Sequence, residues 1–309
     1  MPSSVLRVGT RGSALALTQT GLAAEALRSA ARDRGIELEV EVVRITTRGD
    51  EITDRPFEAI GPKGVFAKEI ERALLDDEID VAVHSLKDLP SDEPEGLVIA
   101  AVLEREDARD VLVSRRGALL ADLAPDAVIG TSSSRRRALL GIARPDLRTV
   151  PLRGNVDTRL EKIRNGEMDA GVLAGAGLVR LSRTDEITEW LDPMQFVPAP
   201  GQGTLAIEAR TDRAADDLAW VGETDHSPTR ICIDAERAFM RGVEGGCEVP
   251  LGAWARIDGD EVVCEGFLSS SDGTKHIRDA ARGRNPQLVG TDLARRFLEA
   301  GAGELTARR

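Results

Sequence analysis

The chain has 309 residues, 41% of them hydrophobic and 30% charged, so it is long enough for two or three globular domains of roughly 100–200 residues each. Its 53 acidic residues outnumber 41 lysines and arginines, and the net charge of −12 excludes a simple basic nucleic-acid-binding protein. Three cysteines are too few for a disulfide framework, and the longest apolar run, residues 97–103, is far shorter than the roughly 18 residues that a membrane helix needs.

The first third of the chain alternates between the spacing of β-strands and that of α-helices. In residues 13–32, Leu15, Leu22 and Ala26 fall on one side of a helix, whereas residues 36–45 alternate apolar and acidic side chains as a strand does. The predicted order is strand 5–9, helix 13–32, strand 36–45, helix 67–75, strand 79–84 and strand 97–103. Strands that alternate with helices indicate a mostly parallel sheet.

The same pattern restarts in the second third. The predicted order is strand 110–114, strand 127–130, helix 135–142, strand 148–152, helix 156–165 and strand 168–173. Both thirds contain a strand, a small polar turn and a helix, written VGTRGSALAL and IGTSSSRRRALL. We therefore predict two similar α/β domains.

The last third has a different composition. A strand at 204–210 is expected to return to the first sheet, after the proline-containing segment 193–200. A helix at 227–240, a hairpin around IDGD within 253–269 and a helix at 288–300 predict a smaller α+β unit. The expected domains are domain 1, residues 1–105 and 200–222; domain 2, residues 106–199; and domain 3, residues 223–309.

Arginines recur where predicted strands end. They are Arg11, Arg135, Arg136, Arg153, Arg159 and Arg180, accompanied by the hydroxyl residues Ser13, Thr131 and Ser133. Ligands of open α/β sheets bind at the carboxyl ends of the strands, and both helix N-termini and guanidinium groups bind anions. We expect a locally positive site for an acidic ligand; the alternative is that these arginines are solvated or pair with neighbouring aspartates.

A densely ionisable segment, HSLKDLP, follows the apolar strand 79–84. Lys87 and Asp88 could supply acid–base groups or stabilise a developing cation. The alternative is an ordinary polar loop. His84 is interpreted as a structural residue.

The three cysteines have different surroundings. Cys247 follows two glycines, on an open backbone where its thiol could react. Cys232 lies in a predicted helix and Cys264 in a predicted strand, and both are expected to be buried packing residues. The cysteine and histidine spacing does not suggest zinc, and no metal is expected.

These segments together resemble the porphobilinogen deaminase family, also called hydroxymethylbilane synthases, over essentially the whole chain. The motifs are TRGSALA, TTRGD, GPKGVFAKEIE, DVAVHSLKDLP, GTSSSRRRALL, LRGNVDTRL, LAGAGLVRL, PAPGQGTLAIE and VEGGCEVPLGA. The resemblance implies two periplasmic-binding-protein-like α/β domains around a cleft, and a smaller α+β C-terminal domain with a cofactor cysteine.

The resemblance also implies the reaction, which belongs to a transferase of tetrapyrrole (haem) biosynthesis. Porphobilinogen molecules, four per product, would be joined head to tail into hydroxymethylbilane with loss of ammonia. The implied cofactor is a dipyrromethane, bonded through a thioether to Cys247. The expected partners are porphobilinogen and the growing linear pyrrole chain, with no nucleic acid and no membrane. The N-terminus contains no apolar signal core, so a cytoplasmic protein is expected. The resemblance implies a monomer.

The resemblance assigns roles to particular residues. Those implied in catalysis are Asp88, Lys87 and Lys63. Those implied in cofactor binding are Cys247, Arg135, Arg136, Ser133, Thr131, Arg159 and Lys87. Those implied in substrate binding are Arg11, Ser13, Arg153, Arg180, Gln202 and Phe66, with Gln202 beside a hinge and Phe66 on a loop.

Two other classes stay open. A non-enzymatic binding protein with a two-domain anion cleft would explain the arginines but gives no reason for Cys247 or Asp88. An inactive or regulatory homologue would bind the ligand without releasing ammonia.

Overall fold

A computed structural model gives the fold. It describes residues 4–47, 67–243, 249–270 and 273–306. The chain forms two compact units, the first from Met1–Arg105 and Thr204–Arg230 and the second from Glu106–Gly203 and Ile231–Arg309. The division into three domains stays a prediction, since the second unit holds two of the three predicted domains.

The helices and strands of these described residues follow the predicted order closely. The strands are β1 (Ser4–Thr10), β2 (Leu38–Arg44), β3 (Val81–Ser85), β4 (Leu97–Val102), β5 (Asp110–Ser114), β6 (Val128–Gly130), β7 (Arg148–Val150), β8 (Ala170–Ala174), β9 (Glu189–Trp190), β10 (Leu205–Arg210), β11 (Leu251–Asp258), β12 (Glu261–Ser269) and β13 (His276–Gly283). The α-helices are α1 (Ala14–Asp33), α2 (Lys68–Leu75), α3 (Ser134–Ala143), α4 (Val156–Arg164), α5 (Gly175–Arg180), α6 (Thr211–Ala215), α7 (Ser227–Gly242), α8 (Pro286–Glu299) and α9 (Ala302–Thr306). No helix in this part of the chain is long and apolar enough to cross a membrane.

The first unit contains a five-stranded sheet in the order β2-β1-β3-β10-β4. β1 is parallel to β2 and β3, whereas β10 is antiparallel to both β3 and β4. The predicted return of strand 204–210 to the first sheet is confirmed. The core between this sheet and α1 includes Val8, Leu27 and Ile207, all with no exposed surface.

The second unit repeats this plan in the order β7-β6-β8-β5-β9. β6 is parallel to β7 and β8, and β5 is antiparallel to β8 and β9. In each sheet a single strand, β10 or β5, runs against its neighbours at the same place in the order. The predicted pair of similar α/β folds is therefore confirmed.

The second unit also contains a smaller antiparallel sheet, β11-β12-β13. Its first two strands form the predicted hairpin, and Gly259 supplies the left-handed conformation of the turn (φ +65°). Phe239 of α7 and Phe297 of α8 belong to the core that covers this sheet. Their rings pack edge-to-face with each other, with centroids 4.8 Å apart. The fold class is α/β with a smaller C-terminal α+β part, as predicted.

This smaller sheet is joined to the rest of the second unit by shared core and a buried carboxylate. Phe267 of β12 belongs to the same apolar cluster as Leu112 and Phe196. Glu236 of α7, fully buried, accepts backbone hydrogen bonds from Gly201 and Ala255, each at 2.7 Å. A buried carboxylate with two charge-assisted hydrogen bonds fixes the segment before β10 against β11.

Candidate active site

In the first unit, the predicted site residues lie at one edge of the sheet. β1 and β3 are parallel neighbours, so their carboxyl ends meet at the same edge. Arg11 follows β1, and Ser13 caps α1 by accepting a hydrogen bond from the Ala16 backbone N–H at 3.2 Å. Lys87 and Asp88 follow β3. The first unit therefore brings a guanidinium group, an ammonium group, a hydroxyl and a carboxylate to one edge of its sheet.

The loop after β3 holds Lys87 and Asp88 through the leucines on either side of them. Leu86 and Leu89 are 2% and 4% exposed, and the Leu89 backbone N–H donates to the Leu86 carbonyl at 3.1 Å. The Leu86 N–H donates to the Thr204 carbonyl at 3.0 Å, which ties this single 3₁₀ turn to the strand next to β3. Burial of both leucines leaves the half-buried Lys87 and Asp88 directed away from the core.

Behind this edge lies a buried ionisable cluster that sequence reasoning missed. His84 Nε2 is 3.2 Å from Glu208 Oε2, and both side chains are buried. Glu71 of α2 is also buried; burial raises the pKa of its carboxyl, and the charge of Glu208 raises it further. This pairing supports the structural interpretation of His84.

Glu71 gives a testable pH dependence. Because its pKa in the folded state is raised above the ordinary 4.5, the folded protein loses stability as the pH rises through the interval between the two values. We expect Glu71→Gln to raise the free energy of unfolding at neutral pH, and to have a smaller effect below pH 4.5. Urea unfolding at both pH values measures this. The exposed Glu78→Gln should change stability by less than about 0.5 kcal/mol at either pH; an equal effect of the two variants would contradict the assignment.

In the second unit, hydroxyl and amide side chains cap the two helices that follow β6 and β7. Ser133 Oγ accepts from the Arg136 N–H at 3.4 Å, and Asn155 Oδ1 accepts from the Thr158 N–H at 2.9 Å. Thr131 is buried directly after β6 and accepts from the Ser133 N–H at 3.2 Å. The capped N-terminus of α3 thus lies at the carboxyl edge of the second sheet, as predicted.

Arg135 and Arg136 are buried and share one carboxylate, Asp110 at the start of β5. Arg135 Nη1 donates to Asp110 Oδ2 at 2.7 Å, and Arg136 Nη2 donates to Oδ1 at 2.8 Å. Gln202 Nε2 donates to the same Oδ1 at 2.9 Å. Burial raises the pKa of Asp110, but the charges of the two arginines outweigh burial and hold that pKa well below its ordinary value. The alternative that some arginines pair with a neighbouring aspartate is therefore correct for these two.

The remaining predicted arginines are more exposed. Arg153 and Arg159 are half-buried, and Arg159 Nε donates to the Gly154 carbonyl at 2.8 Å. Arg180 does not follow a strand directly: it ends the short helix α5 and donates to the Gly203 carbonyl at 2.6 Å. Burial lowers the pKa of Arg180, against the opposing charge of Glu106.

Three predicted site residues, Lys63, Phe66 and Cys247, lie outside the described residues. The other two cysteines lie in the core, as predicted: Cys232 is 8% exposed and Cys264 is not exposed at all. Within each unit, then, the sequence located the polar edge of the sheet but missed Asp110, Glu208 and Glu71.

Each α/β sheet thus has its cationic and hydroxyl side chains at the carboxyl edge, as expected of a protein that binds an acidic ligand. A family model described as "Porphobilinogen deaminase, dipyromethane cofactor binding domain" matches residues 6–217, and "Porphobilinogen deaminase, C-terminal domain" matches residues 230–299. The chain belongs to the porphobilinogen deaminase family.

Individual relatives agree over nearly the full length. The chain is 48% identical to a porphobilinogen deaminase of Desulforudis audaxviator, over 97% of this chain and 96% of the relative. It is 47% identical to that of Thermus thermophilus, over 98% and 99%. Among solved structures, the periplasmic VFT2 domain of Bordetella pertussis BvgS matches with a TM-score of 0.41 and 16% identity, over 71% of this chain and 85% of that domain.

Proposed function

We propose that this chain condenses four porphobilinogen molecules head to tail into hydroxymethylbilane, with release of four ammonia, in haem biosynthesis. The observation that carries the proposal is the family match over both parts of the chain, with a carboxylate and cationic groups at the carboxyl edge of the first sheet. The chain acts as a monomer in the cytoplasm, in three domains, without nucleic acid or membrane.

Asp88 has the central role in this proposal. Loss of ammonia from the aminomethyl group of porphobilinogen leaves a cation conjugated with the pyrrole ring. A carboxylate beside the pyrrole N–H stabilises that charge. The free α-carbon of a second pyrrole ring bonds to the cationic methylene carbon, and the carboxylate accepts the proton that this α-carbon loses when its ring becomes aromatic again. Lys87 and Lys63 hold the substrate carboxylates near this group.

The other cationic residues bind acidic side chains. Porphobilinogen carries an acetate and a propionate, so each addition brings two more carboxylates to the growing chain. Arg11 and Ser13 in the first unit, and Arg153 and Arg180 in the second, bind them with charge-assisted hydrogen bonds. Gln202 and Phe66 complete the substrate contacts.

The second unit's donor set fits a dipyrromethane cofactor, which carries carboxylates of its own. Two buried guanidinium groups face one buried carboxylate, so a positive charge remains for an anion. Arg135, Arg136 and Arg159 would hold the cofactor carboxylates together with the hydroxyls of Thr131 and Ser133, and Cys247 would hold the cofactor covalently. When bound, the cofactor supplies the pyrrole end to which substrate units are added.

Arg153 provides a test of carboxylate binding. A charge-assisted hydrogen bond contributes about 1.5–3 kcal/mol, so Arg153→Ala should weaken binding of the growing chain about 10- to 100-fold and stall its elongation. Intact-mass spectrometry of the protein during turnover measures the stalled species. Arg148→Ala, an exposed arginine at the amino end of β7, is the matched control and should elongate normally. A normal product profile for Arg153→Ala would show that Arg153 is structural.

The function itself is tested by incubating the purified protein with porphobilinogen. The expected result is ammonia release together with hydroxymethylbilane, detected through its cyclisation to uroporphyrinogen I and oxidation of that product by added iodine to uroporphyrin I. Binding of porphobilinogen without ammonia release would identify an inactive homologue or a binding protein. Neither binding nor ammonia release would reject the proposal.

A further inference from the structure

We propose that Asp110 is a positioning residue: its carboxylate holds the guanidinium groups of Arg135 and Arg136 in the orientation in which they bind the cofactor. The proposal rests on the proposed function. Asp110 does not itself contact the ligand, because its side chain has no exposed surface and is enclosed by the two arginines and Gln202.

Each guanidinium group is held by Asp110 and by a backbone carbonyl. Asp110 binds Arg135 through both carboxylate oxygens and Arg136 through Oδ1, which accepts from Nε at 3.0 Å and from Nη2 at 2.8 Å. Arg136 uses its remaining nitrogen, Nη1, to donate to the Val172 carbonyl at 3.0 Å. Arg135 Nη1, which also donates to Asp110, reaches the Val197 carbonyl at 2.7 Å. Because neighbouring arginines repel each other, the shared anion stabilises them side by side in a buried position.

Gln202 completes this arrangement. Its amide Nε2 bridges Asp110 Oδ1 at 2.9 Å and the Ala108 carbonyl at 2.7 Å, and its Oε1 accepts from Arg136 Nη2 at 3.4 Å. An amide can donate and accept at once, so it orients the carboxylate without changing the charge. The resemblance implies that Gln202 binds substrate, and its contacts also make it a partner of Asp110.

The charge count points to a ligand. Two arginines and one aspartate leave one positive charge among buried groups, and such a surplus is costly unless an anion balances it. Arg135 Nε is buried and makes no hydrogen bond to any described residue, so one N–H of the cluster keeps its hydrogen for a further acceptor. Asp110 therefore neutralises one of the two guanidinium charges and leaves one positive charge to bind one ligand carboxylate.

The test compares Asp110→Asn, which keeps the shape but removes the charge, with Leu123→Ala. Leu123 is a buried core residue of the same unit. It precedes β6 and therefore lies at the opposite edge of the sheet from Asp110. Truncating its side chain destabilises the fold but leaves the contacts of Asp110 in place. Two measurements are made on the full-length protein at a temperature where all variants are folded. One is the extent of phenylglyoxal labelling of Arg135 and Arg136, mapped by peptide mass. The other is the rate at which apoprotein, expressed in a host unable to make porphobilinogen, gains the mass of two pyrrole units when porphobilinogen is added.

We expect Asp110→Asn to label faster at Arg135 and Arg136, and to gain the cofactor about 10- to 100-fold more slowly than the wild type, the range typical when a residue that orients a liganding side chain is changed. Leu123→Ala should match the wild type in both measurements. Cofactor gain by Asp110→Asn at the wild-type rate, or equal slowing in Leu123→Ala, overturns the proposal. If the wild type gains no mass, the proposed function fails, and the labelling alone then decides whether Asp110 positions the arginines.

Discussion

Cys247→Ser is expected to yield a protein without the covalent cofactor and with no detectable turnover. A thiolate is a strong nucleophile near neutral pH, whereas a serine hydroxyl needs an adjacent base to react. The thioether of the proposed function therefore cannot form by the same route. Intact-mass spectrometry of the purified variant is expected to give the mass of the bare chain, and the wild type is expected to be heavier by two linked pyrrole units.

The other two cysteines are the controls for this result. Cys232 and Cys264 lie in the apolar core beneath the small C-terminal sheet. A serine there places a hydroxyl among apolar side chains, at a cost of about 1–3 kcal/mol in the free energy of unfolding. Cys232→Ser and Cys264→Ser should thus be less stable but carry the cofactor. Loss of the added mass in either of them, with its retention in Cys247→Ser, would overturn the assignment.

Most of the fold could be predicted because its elements have strong local patterns. Residues 79–84 are all buried, and residues 97–103 form an apolar run in which buried and half-buried side chains are interspersed. The longer helices show one apolar side. The misses have local causes. β9 has two residues, and β13 carries charged residues such as Arg278 and Asp279 along an edge strand with an exposed face, so neither shows a strand pattern.

The site could be predicted only in part. Arg11, Ser13 and Ser133 were found because the end of a strand and the start of a helix can be read from local sequence. Asp110 was missed because its partners lie 25 and 26 residues further along, and such pairing depends on the order of strands in the sheet. The same holds for Glu208 and His84, which face each other only because β10 lies beside β3.

Asp88→Asn is expected to lower kcat by about 10²–10⁴-fold, the loss typical of an acid–base group, with a much smaller change in KM. The amide keeps the size of the side chain but carries no charge and cannot take up the pyrrole proton. The fold should be intact, because the turn is held by the buried Leu86 and Leu89 rather than by Asp88. Steady-state assays of ammonia release measure the effect.

Asp92→Asn is the matched control, since Asp92 is an exposed carboxylate four residues further along the same loop and should leave kcat unchanged. The comparison separates a specific role of Asp88 from the general negative charge of the loop. If only the general negative charge of the loop mattered, both variants would lose similar activity, at neutral pH and at alkaline pH alike. If Asp88 holds the developing cation, only Asp88→Asn should be slow, and the loss should appear at every added pyrrole unit because each addition passes through the same cation. Near-normal turnover of Asp88→Asn would contradict that role and move the search to the other carboxylates at the carboxyl edges of the two sheets.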